Sequence, residues 1–426
     1  MKATNTIGFA GLSHLGIIYS MATAARGFSA LAFDERDDLV QELTTGRFPI
    51  SEPSLDEAFH EHGKRMRYTA DASSLAECEL IFITLDVPTD AANNSDLAPL
   101  EELIDRVASA ARPGTTIAIM SQLPPGYCRR LAGRLSPGLK LYYHVETLVF
   151  GNAMERAIHP ERYMVGCANP THPFPDLYQS FLQAFHCPVL PMRYESAELC
   201  KIAINCFLVS SVSTSNTLAE LCENIGADWL EIVPALRLDK RIGPHAYLKP
   251  GLGVAGGNLE RDLVTVRRLA AETGTDARVV TAWQENSAHM RDWVLRHLFK
   301  LGVLESPDER LLAVWGLAYK QDTNSTKNSP SLALLSTLAR YRWLAYDPEA
   351  SMDRGKYPYV RVCSSATDAT QGADALVVMT PWREFSGVAL ELIQSAMRGR
   401  VVVDPYGILD GEGCRRLGMK YYRIGA

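Results

Sequence analysis

The chain has 426 residues, of which 47% are hydrophobic and 22% charged, and its formal net charge is −6 at pH 7. This length exceeds what one hydrophobic core serves, so we expect two or three domains in a globular protein. The acidic balance excludes the basic footprint of a nucleic-acid-binding protein. Nine dispersed cysteines without metal-ligand spacing predict reduced thiols, no metal site and a cytoplasmic location. We find neither a leader pattern nor an apolar run of about 20 residues, so no membrane span is expected.

The N-terminal part of the chain alternates apolar strands with helices. Buried strands are predicted at residues 6–10, 30–33, 80–84 and 115–120, and an apolar helix at 17–25. Strands that alternate with helices are typical of a parallel, doubly wound sheet.

The first strand runs into a glycine-rich turn, Gly11-Leu12-Ser13-His14-Leu15-Gly16. This is the dinucleotide fingerprint G-x-G-x-x-G with Ser13 in place of the second glycine, which normally lets the backbone approach the pyrophosphate. Ser13 either weakens cofactor binding or donates a new hydrogen bond, and the sequence leaves both open. Asp34 lies ~20 residues further on, where a carboxylate holds the ribose hydroxyls and repels a 2′-phosphate. The turn therefore predicts NAD in preference to NADP.

The middle of the chain is helical. A long helix is predicted over residues 195–225, where Gly226 can end it, and a second helical stretch over 262–301, broken near Gly274. Apolar strands then return at residues 311–316, 375–379 and 401–404.

These patterns predict an α/β protein with two Rossmann-like doubly wound domains, joined by a long central helix and a helical middle domain. We place the domain boundaries at residues 1–193, 194–302 and 303–426. The two α/β regions share an architecture without a close sequence repeat.

Motifs along nearly the whole chain are similar to those of one enzyme family. They are Pro49-Ile50-Ser51-Glu52-Pro53, Leu123-Pro124-Pro125-Gly126, Ala197-Glu198-Leu199-Cys200-Lys201 with Asn205, Asp239-Lys240-Arg241-Ile242-Gly243, and Gly316-Leu317-Ala318-Tyr319-Lys320. They resemble P-I-x-E-P, V-P-P-G, A-E-L-x-K-x-x-x-N, D-x-R-I-G and G-L-A-F-K of the UDP-glucose/GDP-mannose dehydrogenases.

The resemblance implies an NAD-dependent oxidoreductase acting on the primary alcohol of a nucleotide sugar, a UDP sugar before others. It also implies a role in polysaccharide biosynthesis and a homodimer or larger homo-oligomer. In this interpretation the three predicted domains bind NAD, form the dimer and bind the nucleotide sugar, in chain order.

The family surrounds the alcohol carbon with three residues that correspond to Lys201, Asn205 and Asp262. Lys201 and Asn205 share a helix face, because they are four residues apart, and together they can stabilise an alkoxide as hydride leaves. The segment 250–262 matches the family's P-G-x-G-F-G-G-S-C-F-P-K-D without a gap, so the nucleophilic cysteine falls on Asn258. Asparagine cannot form the covalent adduct that the second oxidation requires.

Further changes also fall on the second oxidation. The family's water-positioning threonine corresponds to Gln122, and of two glutamates one persists as Glu146 while the other becomes Phe150. The resemblance leaves three hypotheses open. They are a single hydride transfer, a catalytically silent nucleotide-binding homologue, and full four-electron oxidation through a hydrated aldehyde with Glu146 as base.

The resemblance also implies the binding residues. Cofactor contacts are implied for Gly11, Ser13, His14, Leu15, Gly16, Asp34, Thr84, Gln122 and Lys327. Substrate contacts are implied for Glu146, Leu148, Lys201, Asn205, Tyr247, Leu248, Gly251, Gly253, Tyr319, Lys320 and, from a partner subunit, Arg241. Two family arginines are replaced, by Lys327 and within Asp404-Pro405-Tyr406-Gly407, so the substrate can differ from UDP-glucose.

Overall fold

The computed structural model describes residues 6–90 and 93–426. The chain divides into two compact units, Met1–Ile204 and Asn205–Ala426. Each unit contains one β-sheet with helices packed on it, so the predicted α/β architecture of two doubly wound sheets is confirmed. The division into three domains stays a prediction.

The strands of the first unit are β1 (Thr6–Ala10), β2 (Ser29–Phe33), β3 (Met66–Thr69), β4 (Leu80–Ile83), β5 (Thr116–Ile119), β6 (Lys140–His144), β7 (Tyr163–Cys167) and β8 (Val189–Arg193). They form one sheet in the order β3-β2-β1-β4-β5-β6-β7-β8. β6 and β7 pair antiparallel, whereas the other pairings of this sheet are parallel, and both strands lie outside the four that the sequence predicts in this unit. A buried apolar strand has the same residue pattern in either direction, and the sequence therefore carries no signal for this reversal.

Helices cover both faces of this first sheet. They are α1 (His14–Ala25), α2 (Asp37–Thr44), α3 (Leu55–His62), α4 (Ala98–Ala110), α5 (Tyr127–Ala132), α6 (Ala153–Ile158) and α7 (Asp176–Ala184). One apolar core joins α1 to Phe9 and Phe82, and the other joins α4 to Ile81 and Ile83. Neighbouring residues of β4 thus point to opposite faces, as the period of a strand requires.

The predicted long helix is present as α8 (Tyr194–Ile225), with 32 residues. Within the described residues, α8 is also the helix whose length and apolar composition would suffice to cross a membrane. This is weak evidence, because the core helix of a protein outside the membrane passes the same test. The predicted absence of a membrane span stays a prediction.

The second unit begins within α8 and continues with more helices. They are α9 (Trp229–Leu238), α10 (Asn258–Thr273), α11 (Arg278–Arg291), α12 (Trp293–Lys300), α13 (Pro330–Thr337), α14 (Arg383–Ser386), α15 (Leu390–Ala396) and α16 (Gly411–Arg416). α10 starts four residues before the predicted position and ends at Gly274, whose φ is +72°. Glycine adopts this left-handed conformation without strain, which is why the predicted break at Gly274 is correct.

The sheet of the second unit is parallel. Its strands are β9 (Leu311–Trp315), β10 (Arg342–Tyr346), β11 (Val360–Val362), β12 (Ala375–Val378), β13 (Val401–Val403) and β14 (Lys420–Tyr422). Their order is β11-β10-β9-β12-β13-β14, and every pairing is parallel. Trp315 and Trp343 lie fully buried in its core.

Candidate functional site

The turn between β1 and α1 has the backbone that a dinucleotide requires. Gly11 has a φ of +90°, which side chains disfavour. A Cβ on Gly16 would lie 2.1 Å from the carbonyl oxygen of Gly11 and 2.7 Å from Oγ1 of Thr84. The Thr84 hydroxyl donates to that same carbonyl at 2.8 Å. Gly11, Gly16 and Thr84 therefore bring the start of α1 close to the sheet, and the turn fits a bound dinucleotide.

Ser13 is accommodated by this turn without strain. Its backbone is extended, with φ −75° and ψ −173°. Its hydroxyl lies 2.9 Å from the Thr84 carbonyl oxygen as donor and accepts from the Asp86 backbone N–H at 3.0 Å. The sequence left open whether Ser13 weakens cofactor binding or donates a new hydrogen bond. In the structure Ser13 donates a new hydrogen bond, and its acceptor is the Thr84 carbonyl oxygen of the protein itself.

Asp34 lies at the carboxyl end of β2, where its carboxylate is 7% exposed. It accepts hydrogen bonds from Leu12 N at 2.8 Å and from Arg36 Nε at 2.8 Å. Burial alone would raise the pKa of Asp34, but the hydrogen bonds from Arg36 and Leu12 outweigh it and hold this pKa below its ordinary value. Asp34 is therefore ionised and lies directly after the second strand, where the fingerprint predicts its acid; its contact with a ribose stays a prediction.

His14 begins α1 and pairs with Glu52, a residue outside the predicted site. The two side chains are 2.8 Å apart, and that of Glu52 is only 1% exposed. Glu52 also accepts from the backbone N–H groups of Gly151 at 3.0 Å and Ala153 at 3.2 Å, while the Phe150 ring lies 4.3 Å from the His14 ring. Glu52 thus fastens the loop after β6 to α1. The motif Pro49-Ile50-Ser51-Glu52-Pro53 was the sequence signal for it.

Three predicted substrate residues of the first unit meet where α8 passes the loop after β6. Lys201 Nζ donates to Glu146 Oε1 at 2.6 Å and to the Glu146 carbonyl oxygen at 2.9 Å. Leu148 N donates to Glu146 Oε2 at 2.9 Å. The Lys201 and Glu146 side chains are 12% and 17% exposed, so the pair is partly shielded from water.

Glu198, one turn before Lys201 on α8, holds the loop that carries Gln122. Its buried carboxylate accepts from Gly126 N at 2.5 Å and Cys128 N at 2.7 Å. Gln122 itself is partly buried in the loop after β5. Glu198 belongs to the motif Ala197-Glu198-Leu199-Cys200-Lys201, but the sequence analysis predicts no role for it in the site.

In the second unit, Asn205 and Asp262 form a direct pair. Asn205 Nδ2 donates to Asp262 Oδ2 at 2.6 Å, and Asp262 is only 2% exposed. Asn205 follows Lys201 by one helical turn on α8, so the helix carries both side chains on one face. Asn258 is the first residue of α10 and is exposed. Counting along the segment from Pro250 predicts it at the position of the family's cysteine. It follows Gly256 and Gly257, whose φ angles are +95° and +100°.

The segment before Asn258 is held by buried contacts. Gly251 N donates to Asn216 Oδ1 at 2.8 Å, and the Leu248 carbonyl oxygen accepts from Trp229 Nε1 at 2.8 Å. A Cβ on Gly253 would lie 2.4 Å from the Ser287 carbonyl oxygen. Tyr247, in contrast, is 52% exposed.

Other predicted residues approach this same segment from the loop after β9. A Cβ on Gly256 would lie 2.4 Å from the Tyr319 ring, and one on Gly257 would lie 3.1 Å from Lys327 Cε. Lys320 Nζ is 5.9 Å from the centroid of the Tyr319 ring. Burial raises the pKa of Tyr319 to about 12, so its hydroxyl stays protonated near neutral pH.

Tyr406 replaces a family arginine and also contacts the glycine-rich segment. A Cβ on Gly251 would lie 3.3 Å from its ring, and its hydroxyl is hydrogen-bonded to the Leu252 backbone. Arg241 behaves differently, because its side chain is 89% exposed and its guanidinium pairs with Asp239 at 2.6 Å. The structure therefore brings Tyr319 and Lys327 to the segment, places Lys320 beside the Tyr319 ring and leaves Arg241 at the surface.

Comparisons with known proteins agree with this arrangement. Three domain models of the UDP-glucose/GDP-mannose dehydrogenase family match the chain: the NAD binding domain at residues 5–182, the central domain at 195–288 and the UDP binding domain at 313–411. A putative UDP-glucose 6-dehydrogenase of Bacillus subtilis is 29% identical, covering 94% of this chain and 95% of its own. A UDP-glucose 6-dehydrogenase of Pseudomonas aeruginosa is 28% identical, covering 97% of this chain and 96% of its own.

Solved structures share the fold. A UDP-D-ManNAc dehydrogenase from Pyrococcus horikoshii has a TM-score of 0.85 at 23% identity and covers 99% of both chains. A UDP-glucose dehydrogenase from Pyrobaculum islandicum has a TM-score of 0.84 at 23% identity and covers 99% of this chain and 97% of its own.

The dinucleotide turn on a doubly wound sheet and the match to the NAD binding domain at residues 5–182 define the class as an NAD-binding protein. The chain belongs to the UDP-glucose/GDP-mannose dehydrogenase family. The predictions of this family and of NAD as cofactor are confirmed.

Proposed function

We propose that the protein oxidises the primary alcohol of a UDP sugar to the aldehyde level, passing one hydride per substrate to NAD. The observation that carries this proposal is the contrast between two kinds of residue. The polar pairs Lys201–Glu146 and Asn205–Asp262 are both formed, at 2.6 Å each. The position of the family's nucleophilic cysteine, however, holds Asn258.

The first oxidation needs a group that takes the alcohol proton and groups that stabilise the negative oxygen. Lys201 and Asn205 project from one face of α8 and can both donate to that oxygen. Asp262, bonded to Asn205, is the carboxylate that takes the proton. The C–H electron pair leaves as hydride to NAD, so one alcohol gives one aldehyde, one NADH and one proton.

The second oxidation lacks its nucleophile in this proposal. An aldehyde carbon releases hydride only after a nucleophile has added to it, and a carboxamide is not such a nucleophile. Asn258 stands at the start of α10, where a thiolate would be favoured by the helix dipole. The carboxamide gains no reactivity from that dipole, and the aldehyde is therefore the product.

A UDP sugar is proposed because the relatives are named UDP-glucose 6-dehydrogenases and because the UDP binding domain model covers residues 313–411. Lys327, beside Gly257, and Lys320, near the Tyr319 ring, supply the positive charge that a diphosphate requires. Tyr406 offers an aromatic face where the family has an arginine fork. We therefore propose a sugar other than glucose and a role in supplying activated sugars for polysaccharide synthesis in the cytoplasm.

We further propose that the chain forms a homodimer through α8 and α9, with domains at residues 1–193, 194–302 and 303–426. Large apolar side chains are exposed on these helices: Phe207 at 76%, Ile225 at 66% and Leu238 at 85%. Exposed apolar surface of this kind is typical of an interface. Arg241 would reach the partner's substrate after exchanging its contact with Asp239. Sedimentation of a Phe207→Asp variant as a monomer, against a dimeric parent, tests the interface.

The activity test measures NADH and product mass in single turnovers with a panel of sugar nucleotides. One NADH per substrate and an aldehyde product are expected. Two NADH and a carboxylate would instead indicate the hydrate route with Glu146 as base, and loss of that product in Glu146→Gln would support it. NADH formation no greater than that of Lys201→Met, with every sugar nucleotide, would identify a catalytically silent homologue.

A further inference from the structure

Arg36, just after β2, is paired with Asp34, the acid that the fingerprint predicts for the ribose. Its Nε donates to Asp34 Oδ1 at 2.8 Å and its Nη2 donates to Oδ2 at 3.0 Å. The backbone N–H groups of Arg36 and Leu12 donate to the same carboxylate, at 3.2 Å and 2.8 Å. An ionised carboxylate has roughly four lone-pair sites, so the protein itself occupies the acceptor capacity of Asp34.

A ribose hydroxyl can donate to Asp34 only after one of these donors has left. The two backbone N–H groups are held by the turn after β1 and by the end of β2. The guanidinium, in contrast, belongs to a side chain that is 58% exposed, while that of Asp34 is 8% exposed. Rotation of the Arg36 side chain therefore decides whether Asp34 is open to a ribose.

The pair also changes the charge that a 2′-phosphate would meet. An acid at this position rejects NADP because its negative charge repels the phosphate, whereas a nearby arginine accommodates that group. Arginine stays protonated in proteins, so the Asp34–Arg36 pair has no net charge. A guanidinium has more N–H donors than the two that Asp34 uses, and its planar fork matches phosphate oxygens. The acid and the arginine of the two cofactor classes thus stand side by side in this protein.

We propose that Arg36 sets the discrimination at the 2′ position and lets the protein bind NADP as well as NAD. With NAD, the guanidinium gives up a carboxylate oxygen to the ribose hydroxyls. With NADP, the pair stays closed and the N–H groups that Asp34 does not use hold the 2′-phosphate. Glu35 adds little repulsion, because it is paired with Arg106 at 2.6 Å. Asp38, at the start of α2, attracts Arg36 and opposes a phosphate, so NAD stays the preferred ligand.

The test measures the dissociation constants of ADP-ribose and of 2′-phospho-ADP-ribose by calorimetry. In the parent protein we expect the phosphorylated ligand to bind within about tenfold of ADP-ribose, since an arginine fork compensates the acid. Arg36→Ala should weaken the phosphorylated ligand by about tenfold or more and leave ADP-ribose unchanged or slightly tighter. Arg36→Lys keeps the charge without the fork and should lie between the two. Arg67→Ala removes a comparable arginine, 52% exposed and paired with Glu77 on the same unit, and is the control for charge alone.

Several results would overturn the proposal. No binding of the phosphorylated ligand to the parent would show that Asp34 still excludes it. An equal loss for both ligands in Arg36→Ala would mean that Arg36 contacts a part that they share, such as the adenine. The same change in Arg67→Ala would assign the effect to overall charge. Retained ADP-ribose binding shows that a variant is folded. Since no sugar nucleotide is present, these outcomes are independent of the proposed oxidation.

Discussion

The two glycine-rich segments of this protein each lead into a helix, and each differs from its pattern at a position that the pattern's function uses. The segment before α1 has serine where the fingerprint has glycine, and the segment before α10 has Asn258 where the resemblance predicts the family's cysteine. Both contain a glycine in the left-handed region, with φ angles of +90° at Gly11 and +95° at Gly256. The Ser13 hydroxyl is hydrogen-bonded to the Thr84 carbonyl oxygen and to the Asp86 backbone N–H, whereas Asn258 is exposed at the start of α10.

The difference follows from what each segment does. We expect the first to bind a diphosphate through backbone N–H groups, and a side chain that turns towards the protein leaves those groups in place. The second would act through the side chain itself, because only a nucleophile can form the adduct for a second oxidation. Serine at position 13 is therefore compatible with cofactor binding, whereas asparagine at position 258 would remove the nucleophile of the second oxidation.

If the change at Asn258 affects only the second oxidation, the protein retains hydride transfer from the alcohol. Lys201→Met tests this and has the largest expected effect. Loss of the ammonium should lower kcat by about 10²- to 10³-fold, as removal of one oxyanion donor does elsewhere. NAD affinity should be unchanged by calorimetry. Lys300→Met on α12 is the matched control, and equal activity of the two variants would contradict the role of Lys201.

Gly16→Ala tests the backbone of the first segment. The added Cβ would lie 2.1 Å from the Gly11 carbonyl oxygen, so the start of α1 must move. We expect the free energy of unfolding to fall by about 1–3 kcal/mol and NAD affinity to fall roughly tenfold or more. Gly133→Ala is the control, since its nearest neighbour would be 3.5 Å away. Normal NAD binding by Gly16→Ala would show that the turn does not bind the cofactor.

Asn258→Cys tests the chemistry of the second segment. If the surrounding site is still built for the second oxidation, NADH per substrate should rise from one to two and the product should become a carboxylate. Product mass spectrometry and alkylation of the new thiol measure this. Asn258→Ser, which has a poorer nucleophile, should stay at one NADH. A stoichiometry of one in Asn258→Cys would mean that residues beyond Asn258 also block the step.

Ser13→Gly restores the fingerprint and should have the smallest effect. Since the Ser13 side chain points to Thr84 and Asp86, its removal should change NAD affinity by less than about threefold. Calorimetry with NAD measures this. A larger loss of affinity would show that the Ser13 hydroxyl contacts the cofactor directly, and the contrast between the two segments would then be smaller than described above.

Much of the fold was predictable from apolar runs and glycines. The strands at residues 6–10, 311–315 and 401–403, the helix at 195–225 and the break at Gly274 all lie where the sequence predicts them. The reversal between β6 and β7 was not predictable, because both directions bury the same side chains. Glu52 and Glu198 were visible only as motif members, since their roles depend on backbone N–H groups about 70 to 100 residues away.

The sequence by itself determined the class of fold, the NAD fingerprint with its acid Asp34 and the family, and it predicts Asn258 at the position of the family's cysteine. These depend on local residue order and spacing, which the chain carries directly. Only the tertiary structure decided that the Ser13 hydroxyl turns into the protein, where it meets Thr84 and the backbone of Asp86, and that Glu146 pairs with Lys201 and Asn205 with Asp262. Such contacts join residues far apart in the chain, and their geometry is set by how the sheets and helices pack.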